Sequence, residues 1–205
     1  MPSAAAATKL DLYAANRSEY ITPKKPVLIQ TRPAVYLTIN GAGEPGNAVF
    51  QAAIGALYAV AFTIKMTNKF AGRDYKVCGL EGLWWGSSTE SFMDAPRESW
   101  QWKLLIRTPD FITREELTQT IEKLRQKGKP AEVSQVKLET LDEGRSIQVL
   151  HVGPYSEEPK TIAAMAEFAT AHGLSNHGRH HEIYLSDPRR SKPEKLRTIL
   201  RQPVR

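Results

Sequence analysis

Residues Ala34-Val-Tyr-Leu-Thr-Ile39, followed by Asn40-Gly-Ala-Gly-Glu-Pro45, predict a strand that turns into a long helix. The first segment is rich in β-branched and aromatic residues, which favour a strand. The second contains the Gly and Pro residues that are typical of a turn. Asn47 is a good N-cap, and the apolar residues after it predict a helix that runs to about Lys69.

The same order of elements recurs in the second half of the chain. A strand that ends at Leu150 is followed by the turn His151-Val-Gly-Pro-Tyr-Ser156 and by a helix from about Glu158 to His172. Each half is predicted to have a strand pair before the turn and two strands after the helix. The halves share little sequence identity, so the repeat is one of pattern. We predict an α+β fold of two β-α-β-β units related by a pseudo-two-fold axis, with a mainly antiparallel sheet, helices on one side and a ligand cleft between the halves.

These elements predict the boundaries within the chain. Residues 1–26 are polar and are expected to form a loose N-terminal arm or an edge. Residues 27–205 are expected to form one domain. It contains two internal repeats, at about 27–109 and 132–205. A helix at about 113–127 joins them. A predicted hairpin across Asp142-Glu-Gly-Arg145 pairs Val136–Leu141 with Ser146–Val152.

Composition indicates a soluble globular protein. The chain has 205 residues, of which 41% are hydrophobic and 24% charged. The one cysteine, Cys78, excludes an internal disulfide and fits a reducing compartment. Met1 to Thr8 lacks the features of a signal peptide, and the apolar stretch Ala48 to Met66 carries Gln51 and Lys65. We therefore expect a cytoplasmic protein without a membrane span or a membrane partner.

The net positive charge of the chain comes from its C-terminal end. The formal net charge is +6, and Arg189 to Arg205 contains seven Lys or Arg residues against the single acid Glu194. That tail accounts for the whole excess, since the remainder has 21 basic and 21 acidic residues. A terminal basic segment is typical of a solvated edge, and no nucleic-acid-binding motif accompanies it. A nucleic-acid partner is therefore not expected.

The segment His180-His-Glu-Ile-Tyr-Leu-Ser-Asp-Pro188 predicts a short strand that carries the main candidate residue. Alternation places Ile183 and Leu185 on one face and Glu182 and Tyr184 on the other. We expect the apolar pair to face the helices and Glu182 to lie on the opposite side of the sheet. That carboxylate is either a solvated surface charge or the centre of a site. In a desolvated pocket its pKa would rise, which suits acid–base chemistry or pairing with a cation.

Four tryptophans on two predicted strands are candidates for the walls of such a site. Trp84 and Trp85 are neighbours and must point to opposite faces, whereas Trp100 and Trp102 share one face. They are either core residues or aromatic walls that stack on a flat or cationic ligand. Which of Trp84 and Trp85 faces the site stays open at this point.

Three further residues could take part in chemistry beside Glu182. Tyr155 and Tyr184 could donate hydrogen bonds to a developing oxyanion, and His151 could orient a group or relay a proton. The neighbours His180 and His181 point to opposite sides of a strand and suit one metal ion poorly. We expect neither a metal nor a cofactor.

Several motifs together resemble the GyrI-like small-molecule-binding family. They are Glu81-Gly-Leu-Trp-Trp85, Trp100-x-Trp102 running to Arg107-Thr-Pro109, Glu143-Gly, Gln148-x-Leu-His-x-Gly-Pro-Tyr155, and His180 to Pro188. The likeness covers about residues 27 to 205 and is greatest to the stand-alone bacterial branch. It implies a pair of β-α-β-β units of the SHS2 type with a pocket between them.

The resemblance also implies residue roles and an activity. By this likeness Glu182 is the acid, Trp84 or Trp85 and Trp102 form walls, and Tyr155 is the phenol; His151 and Tyr184 complete the candidate set. It implies hydrolysis of cyclopropanoid, DNA-alkylating genotoxins for self-protection. The alternatives are a non-catalytic module that binds or sequesters aromatic, amphipathic or cationic drugs, and a protein-binding modulator like the gyrase-inhibitory relatives.

Overall fold

The computed structural model describes residues 9–86, 93 and 95–205. Within these residues, eight strands form one sheet: β1 (Val27–Gln30), β2 (Ala34–Ala42), β3 (Glu81–Trp85), β4 (Gln101–Arg107), β5 (Lys137–Leu141), β6 (Arg145–Val152), β7 (His180–Tyr184) and β8 (Arg197–Pro203). The helices are α1 (Leu12–Ala15), α2 (Ala48–Phe70), α3 (Arg114–Gln126) and α4 (Glu158–Ala171).

The sheet confirms the predicted α+β class and its pseudo-symmetry. Its strand order is β1-β6-β8-β7-β3-β4-β2-β5, and the paired neighbours are antiparallel. Strands β3 and β7 meet at the centre, where Gly82 lies opposite Glu182. A two-fold axis through this pair relates Trp84 to Tyr184. The two halves therefore meet at the strand that carries the main candidate residue.

The predicted hairpin of β5 with β6 is wrong. Strand β5 pairs with β2 of the first half, and β1 pairs with β6 of the second, so the halves exchange their first strands. The two short connectors meet where Thr31 N donates to Gly144 O at 3.0 Å. Alternation in the sequence could not distinguish a hairpin from this exchange, because both present the same side chains to the same faces.

Helix α2 begins and packs as predicted. The Asn47 side chain caps it by accepting from Phe50 N at 2.8 Å. Leu57, Val60 and Ile64 on its buried face pack against the first half of the sheet. Among the described residues it is long and apolar enough to cross a membrane, a property that core helices share. One face of α2 packs on the sheet, whereas Val49, Phe62 and Phe70 on other faces are exposed.

Helix α4 covers the second half of the sheet on the same side as α2. Met165 and Ala169 of α4 pack on Ile147, Val149 and Leu200. Residues that are paired across an antiparallel ladder point to the same face of the sheet. Leu200 is paired with Glu182, and Glu182 with Gly82, so all three lie on the face that α4 covers. The predicted placement of the helices on one side is thus confirmed.

The N-terminal segment 9–26 packs on the domain and is not a loose arm. It begins with a β-bridge from Leu10 to Tyr75. Farther along, Gln148 Nε2 donates to Ile21 O at 2.8 Å, and Leu150 N donates to Pro23 O at 2.8 Å. Residues 16–23 therefore cover part of the sheet face that carries no helix.

We predict that Gly41→Ala strongly destabilises the fold. Gly41 lies opposite Trp102 in the β2–β4 ladder, and a methyl group there would overlap the fully buried indole ring. The expected loss is about 3 kcal/mol, because neither a β-ladder nor a packed indole can give way cheaply. Urea unfolding measures it.

Gly55→Ala is the matched control. It lies inside α2, and an added methyl group would have no atom of another element within 4 Å. Here alanine should stabilise the protein by about 0.5–1 kcal/mol, since glycine is the poorer helix former. A Gly41→Ala variant as stable as Gly55→Ala would contradict this account of the Trp102 packing.

Candidate functional site

The structure places Glu182 and Tyr184 on the helix-bearing face, so the predicted face is wrong. Glu182 shares its face with Leu200 and Trp84, which pack beneath α4 and α2. Ile183 points to the opposite face and is fully buried there. Both faces of the seam are covered, so alternation could not reveal which one carries the helices. Glu182 thus lies on the helix-bearing side, at the seam between the halves that carry α2 and α4.

Glu182 is held by a short chain of hydrogen bonds. The Tyr184 hydroxyl donates to Glu182 Oε2 at 2.8 Å, and Trp84 Nε1 donates to that hydroxyl at 3.2 Å. His180 Nε2 lies 3.7 Å from the other carboxylate oxygen. Burial raises the pKa of Glu182, and the hydrogen bond from Tyr184 and the charge of His181 offset part of that rise. The hydrogen bonds fix the orientation of the carboxyl group, and the raised pKa means that it ionises at a higher pH than an exposed glutamate.

Glu158 is a site residue that the sequence reasoning missed. It is the first residue of α4, it is 6% exposed, and its Oε1 has no hydrogen-bond partner among the described residues. Burial raises its pKa strongly, the charge of Glu182 adds to that rise, and a hydrogen bond with Thr198 opposes it. Two buried carboxyls that are close enough to affect each other's charge cannot easily ionise together, so Glu158 holds a proton while Glu182 ionises first.

Aromatic rings lie beside the Glu182 end of this carboxyl pair. Trp84 lies between Phe50 and Trp100, with ring centroids 5.9 and 5.8 Å away. Tyr155 meets Tyr184 edge to face at 6.0 Å and is 39% exposed, so it lies at the rim. Trp100 meets Trp84 edge to face and also packs against the core cluster. We refer to Glu158, Glu182 and these rings as the carboxyl pocket.

Three predicted site residues do not line the carboxyl pocket. Trp85 points to the opposite face, where the Arg179 guanidinium lies 3.5 Å from its ring centroid. Trp102 is on the correct face but fully buried, in edge contact with Phe50 at 5.2 Å, and so supports a wall from beneath. His151 uses both ring nitrogens to hold the turn before α4, on Thr161 Oγ1 at 2.9 Å and Pro154 O at 3.2 Å. It therefore braces the turn that leads to Glu158.

The face behind Glu182 carries a buried ion cluster. His181 lies between Glu143 and Glu81, with N–O distances of 2.9 and 3.0 Å. Arg201 donates to the second Glu143 oxygen at 2.7 Å. Despite burial, the two carboxylates raise the pKa of His181 to about 9, while His181 and Arg201 lower the pKa of Glu143 to about 2. His181 is therefore a cation at neutral pH and faces away from its neighbour His180, as the alternation predicts.

Within residues 9–86, 93 and 95–205, no group of three His, Cys, Asp or Glu side chains is arranged to bind a metal. Burial raises the pKa of the Cys78 thiol to about 12, which keeps it protonated. The described groups at the site that could take part in proton transfer include the carboxyls of Glu158 and Glu182 and the phenol of Tyr184.

The fold and the comparisons with known proteins identify a small-molecule-binding domain. The family model "GyrI-like small molecule binding domain" matches residues 27–205, and the chain belongs to that family. A hydrolase from Listeria innocua is 39% identical, with a TM-score of 0.85, over 96% of this chain and 100% of that chain. An uncharacterized conserved protein from the same organism is 40% identical, with a TM-score of 0.89, over 96% and 100% of the two chains.

A more distant structure shares the fold alone. The EcmrR C-terminal domain is 10% identical with a TM-score of 0.58, and the match covers 88% of this chain and 97% of that one. No curated protein matched the chain significantly.

The carboxyl pocket predicts a characteristic pH dependence of stability. Because the pKa of Glu182 rises from 4.5 to about 7 on folding, the native state holds this proton more tightly than the unfolded chain. Its contribution is present below pH 4.5 and is lost as the pH rises towards 7. We therefore compare the free energy of unfolding of Glu182→Gln with that of the unmodified protein. As the pH rises from 4.5 to 7, this difference should shift by ~2 kcal/mol in favour of the variant.

Urea unfolding across this pH range tests the expectation, because titrating groups that do not interact with Glu182 cancel in the difference. Glu122→Gln, which changes an exposed glutamate on α3, should show a constant difference. A Glu182→Gln difference that is equally flat with pH would show that Glu182 ionises normally in the folded protein.

Proposed function

We propose that this protein hydrolyses cyclopropyl-fused aromatic compounds by adding water to the strained ring, and so protects a cell from DNA-alkylating genotoxins. The observation that carries the proposal is the unequal carboxyl pair in an aromatic pocket. Two carboxyls whose environments separate their pKa values are suited to act as an acid and a base at one pH. Relatives about 39% identical that are described as hydrolases support the reaction class.

The aromatic rings would bind the substrate first. Trp100 and Tyr155 lie towards the outside of the ring cluster that contains buried Trp84, and a flat conjugated system would stack on them. Ionised Glu182 then lies close to the bound ring. Holding the electrophile and the base together removes much of the entropic barrier of a bimolecular step.

Ring opening is then an addition of water. The water oxygen forms a bond to the outer carbon of the cyclopropane as the ring C–C bond breaks. The electron pair of that bond flows to the conjugated carbonyl, whose oxygen becomes a phenolate. Glu182 accepts a proton from the attacking water, and protonated Glu158 supplies one to the phenolate. Tyr184 positions Glu182 by its 2.8 Å hydrogen bond.

Tyr155 would stabilise the developing charge. Its hydroxyl has no hydrogen-bond partner among the described residues, and burial together with the charges of Glu158 and Glu182 raises its pKa to about 12. It therefore remains a neutral donor that can face the carbonyl oxygen. No redox partner enters the balance, because the product is the substrate plus one water.

Incubation of the purified chain with a cyclopropanoid in ¹⁸O-labelled water tests the proposal. Mass spectrometry should find a ring-opened product that has gained one labelled water, faster than in buffer alone. Heat-denatured protein controls for solvolysis on non-specific surfaces. A rate equal to that of buffer across a cyclopropanoid panel would disprove catalysis.

A second candidate is sequestration of aromatic cations. One ionised carboxylate beside several aromatic rings attracts such ligands by charge and cation–π contact. Tight binding of ethidium by the unmodified chain, weakened at least tenfold in Glu182→Gln, together with no turnover of cyclopropanoids, would favour this function.

A further inference from the structure

A groove of about 610 Å³ lies on the sheet face opposite the carboxyl pocket, in the first half of the molecule. Its floor is apolar, since Tyr36, Leu83 and Leu105 form a small cluster with partly buried Trp85 and Leu141. Adjacent strand residues point to opposite faces, so Leu83 and Trp85 face away from Trp84. We call this space the reverse-face groove, and it shares no lining residue with the carboxyl pocket.

The pseudo-two-fold axis explains why the groove is open. The ladder registers make Thr38 equivalent to Gln148, and Leu105 equivalent to Arg201. In the second half, Gln148 and Arg201 donate to backbone carbonyls of the N-terminal segment and hold it over the sheet. In the first half the equivalent residues line the open groove.

Most charges around the groove already have partners. Lys103 forms a hydrogen-bonded ion pair with Glu139, which also accepts from Thr38. Glu143 is bound by His181 and Arg201. Among the described residues that line the groove, this leaves Arg114 and Arg179 with one acid, Asp142. The groove thus keeps an excess of positive charge.

Arg179 is the cation best placed to receive a ligand. Its guanidinium lies 3.5 Å from the Trp85 ring centroid, and it forms no hydrogen bond or ion pair within the described part of the chain. Glu139 attracts it, but Lys103 and Thr38 already occupy that carboxylate. A guanidinium that is stacked on one side and unbonded at its N–H groups is suited to a carboxylate or sulfonate.

We propose that the reverse-face groove is a second binding site, for small aromatic anions. The aromatic part lies over the buried apolar floor and against partly exposed Leu141, and the anionic group binds Arg179. The volume is in the range of sites that hold drug-sized ligands. The carboxyl pocket, whose charged groups are acidic, selects against these molecules, so the two faces discriminate ligands by charge. This site does not depend on the proposed hydrolysis.

Fluorescence titration of the full chain with 8-anilinonaphthalene-1-sulfonate tests the proposal. We expect saturable binding that Arg179→Gln weakens about tenfold. Arg125→Gln removes the same charge from the exposed side of α3 and should leave the affinity unchanged. The neutral analogue 1-anilinonaphthalene should bind the unmodified chain at least tenfold more weakly than the sulfonate does.

Three results would overturn the second site. One is no saturable binding of the sulfonate, as expected if a second copy of the chain covers the groove. Another is equal affinity in Arg179→Gln and Arg125→Gln. The third is loss of sulfonate binding in Glu182→Gln or on competition with ethidium, because that would place the probe in the carboxyl pocket. None of these bears on whether the carboxyl pair hydrolyses cyclopropanoids.

Discussion

Glu182→Gln is expected to lower the hydrolysis rate of a cyclopropanoid by about 10²–10⁴-fold, because an amide cannot accept the proton of the attacking water. The substitution preserves shape and can still accept the Tyr184 hydrogen bond, so binding of a neutral substrate should change little. Single-turnover mass spectrometry with saturating protein measures the chemical step separately from binding.

Glu158→Gln separates the two carboxyl roles. If Glu158 supplies the proton to the phenolate, its removal should cost rate mainly at high pH, where solvent supplies few protons. The basic limb of the pH–rate profile should therefore fall earlier in Glu158→Gln, whereas Glu182→Gln should lower the rate at every pH. Glu122→Gln on α3 is the exposed control for the loss of a glutamate. An unaltered rate in Glu182→Gln would eliminate Glu182 as the base.

Arg201→Met is expected to destabilise the fold by about 3–5 kcal/mol, a large part of the stability of a domain this size. Arg201 is 2% exposed and donates to Glu143, to Gln148 and to the carbonyl of Glu19. Its removal leaves the Glu143 carboxylate partly uncompensated and frees the N-terminal segment from the sheet.

Urea unfolding, followed by tryptophan fluorescence, measures this loss. Arg201→Lys keeps the charge but not the forked geometry, so its stability should lie between those of the unmodified protein and Arg201→Met. This variant keeps the test usable if the methionine variant does not fold. Arg189→Met removes an arginine whose ion pair with Asp187 is exposed, and it should leave stability unchanged. A loss for Arg201→Met no larger than that for Arg189→Met would contradict the structural role of the cluster.

Local chemistry made much of the fold predictable. Asn47 caps α2, and Thr113 and Glu116 form the capping box of α3, because these contacts join residues only three apart. The repeat was visible for the same reason, since each strand–turn–helix unit has its own local pattern. The exchange of β1 and β5 was not visible, because either strand presents the same faces to either partner.

The site was likewise predictable only where it depended on local geometry. Alternation correctly placed Glu182 with Tyr184 and separated Trp84 from Trp85, since opposite faces follow from strand geometry alone. It could not decide which face carries the helices. Glu158 was missed because an acid in the first turn of a helix ordinarily favours solvent and the helix dipole. Only the docking of α4 on β6 and β8 buries it near Glu182.

The sequence by itself thus determined the elements, their caps, the two-fold repeat and the strand that carries the acid, because these depend on neighbours in the chain. Only the tertiary structure decided the strand exchange, the face of Glu182, its pairing with Glu158 and the ion cluster behind it. Those features depend on contacts between residues far apart in sequence. Their energies arise from burial and from charges brought together, which no local pattern records.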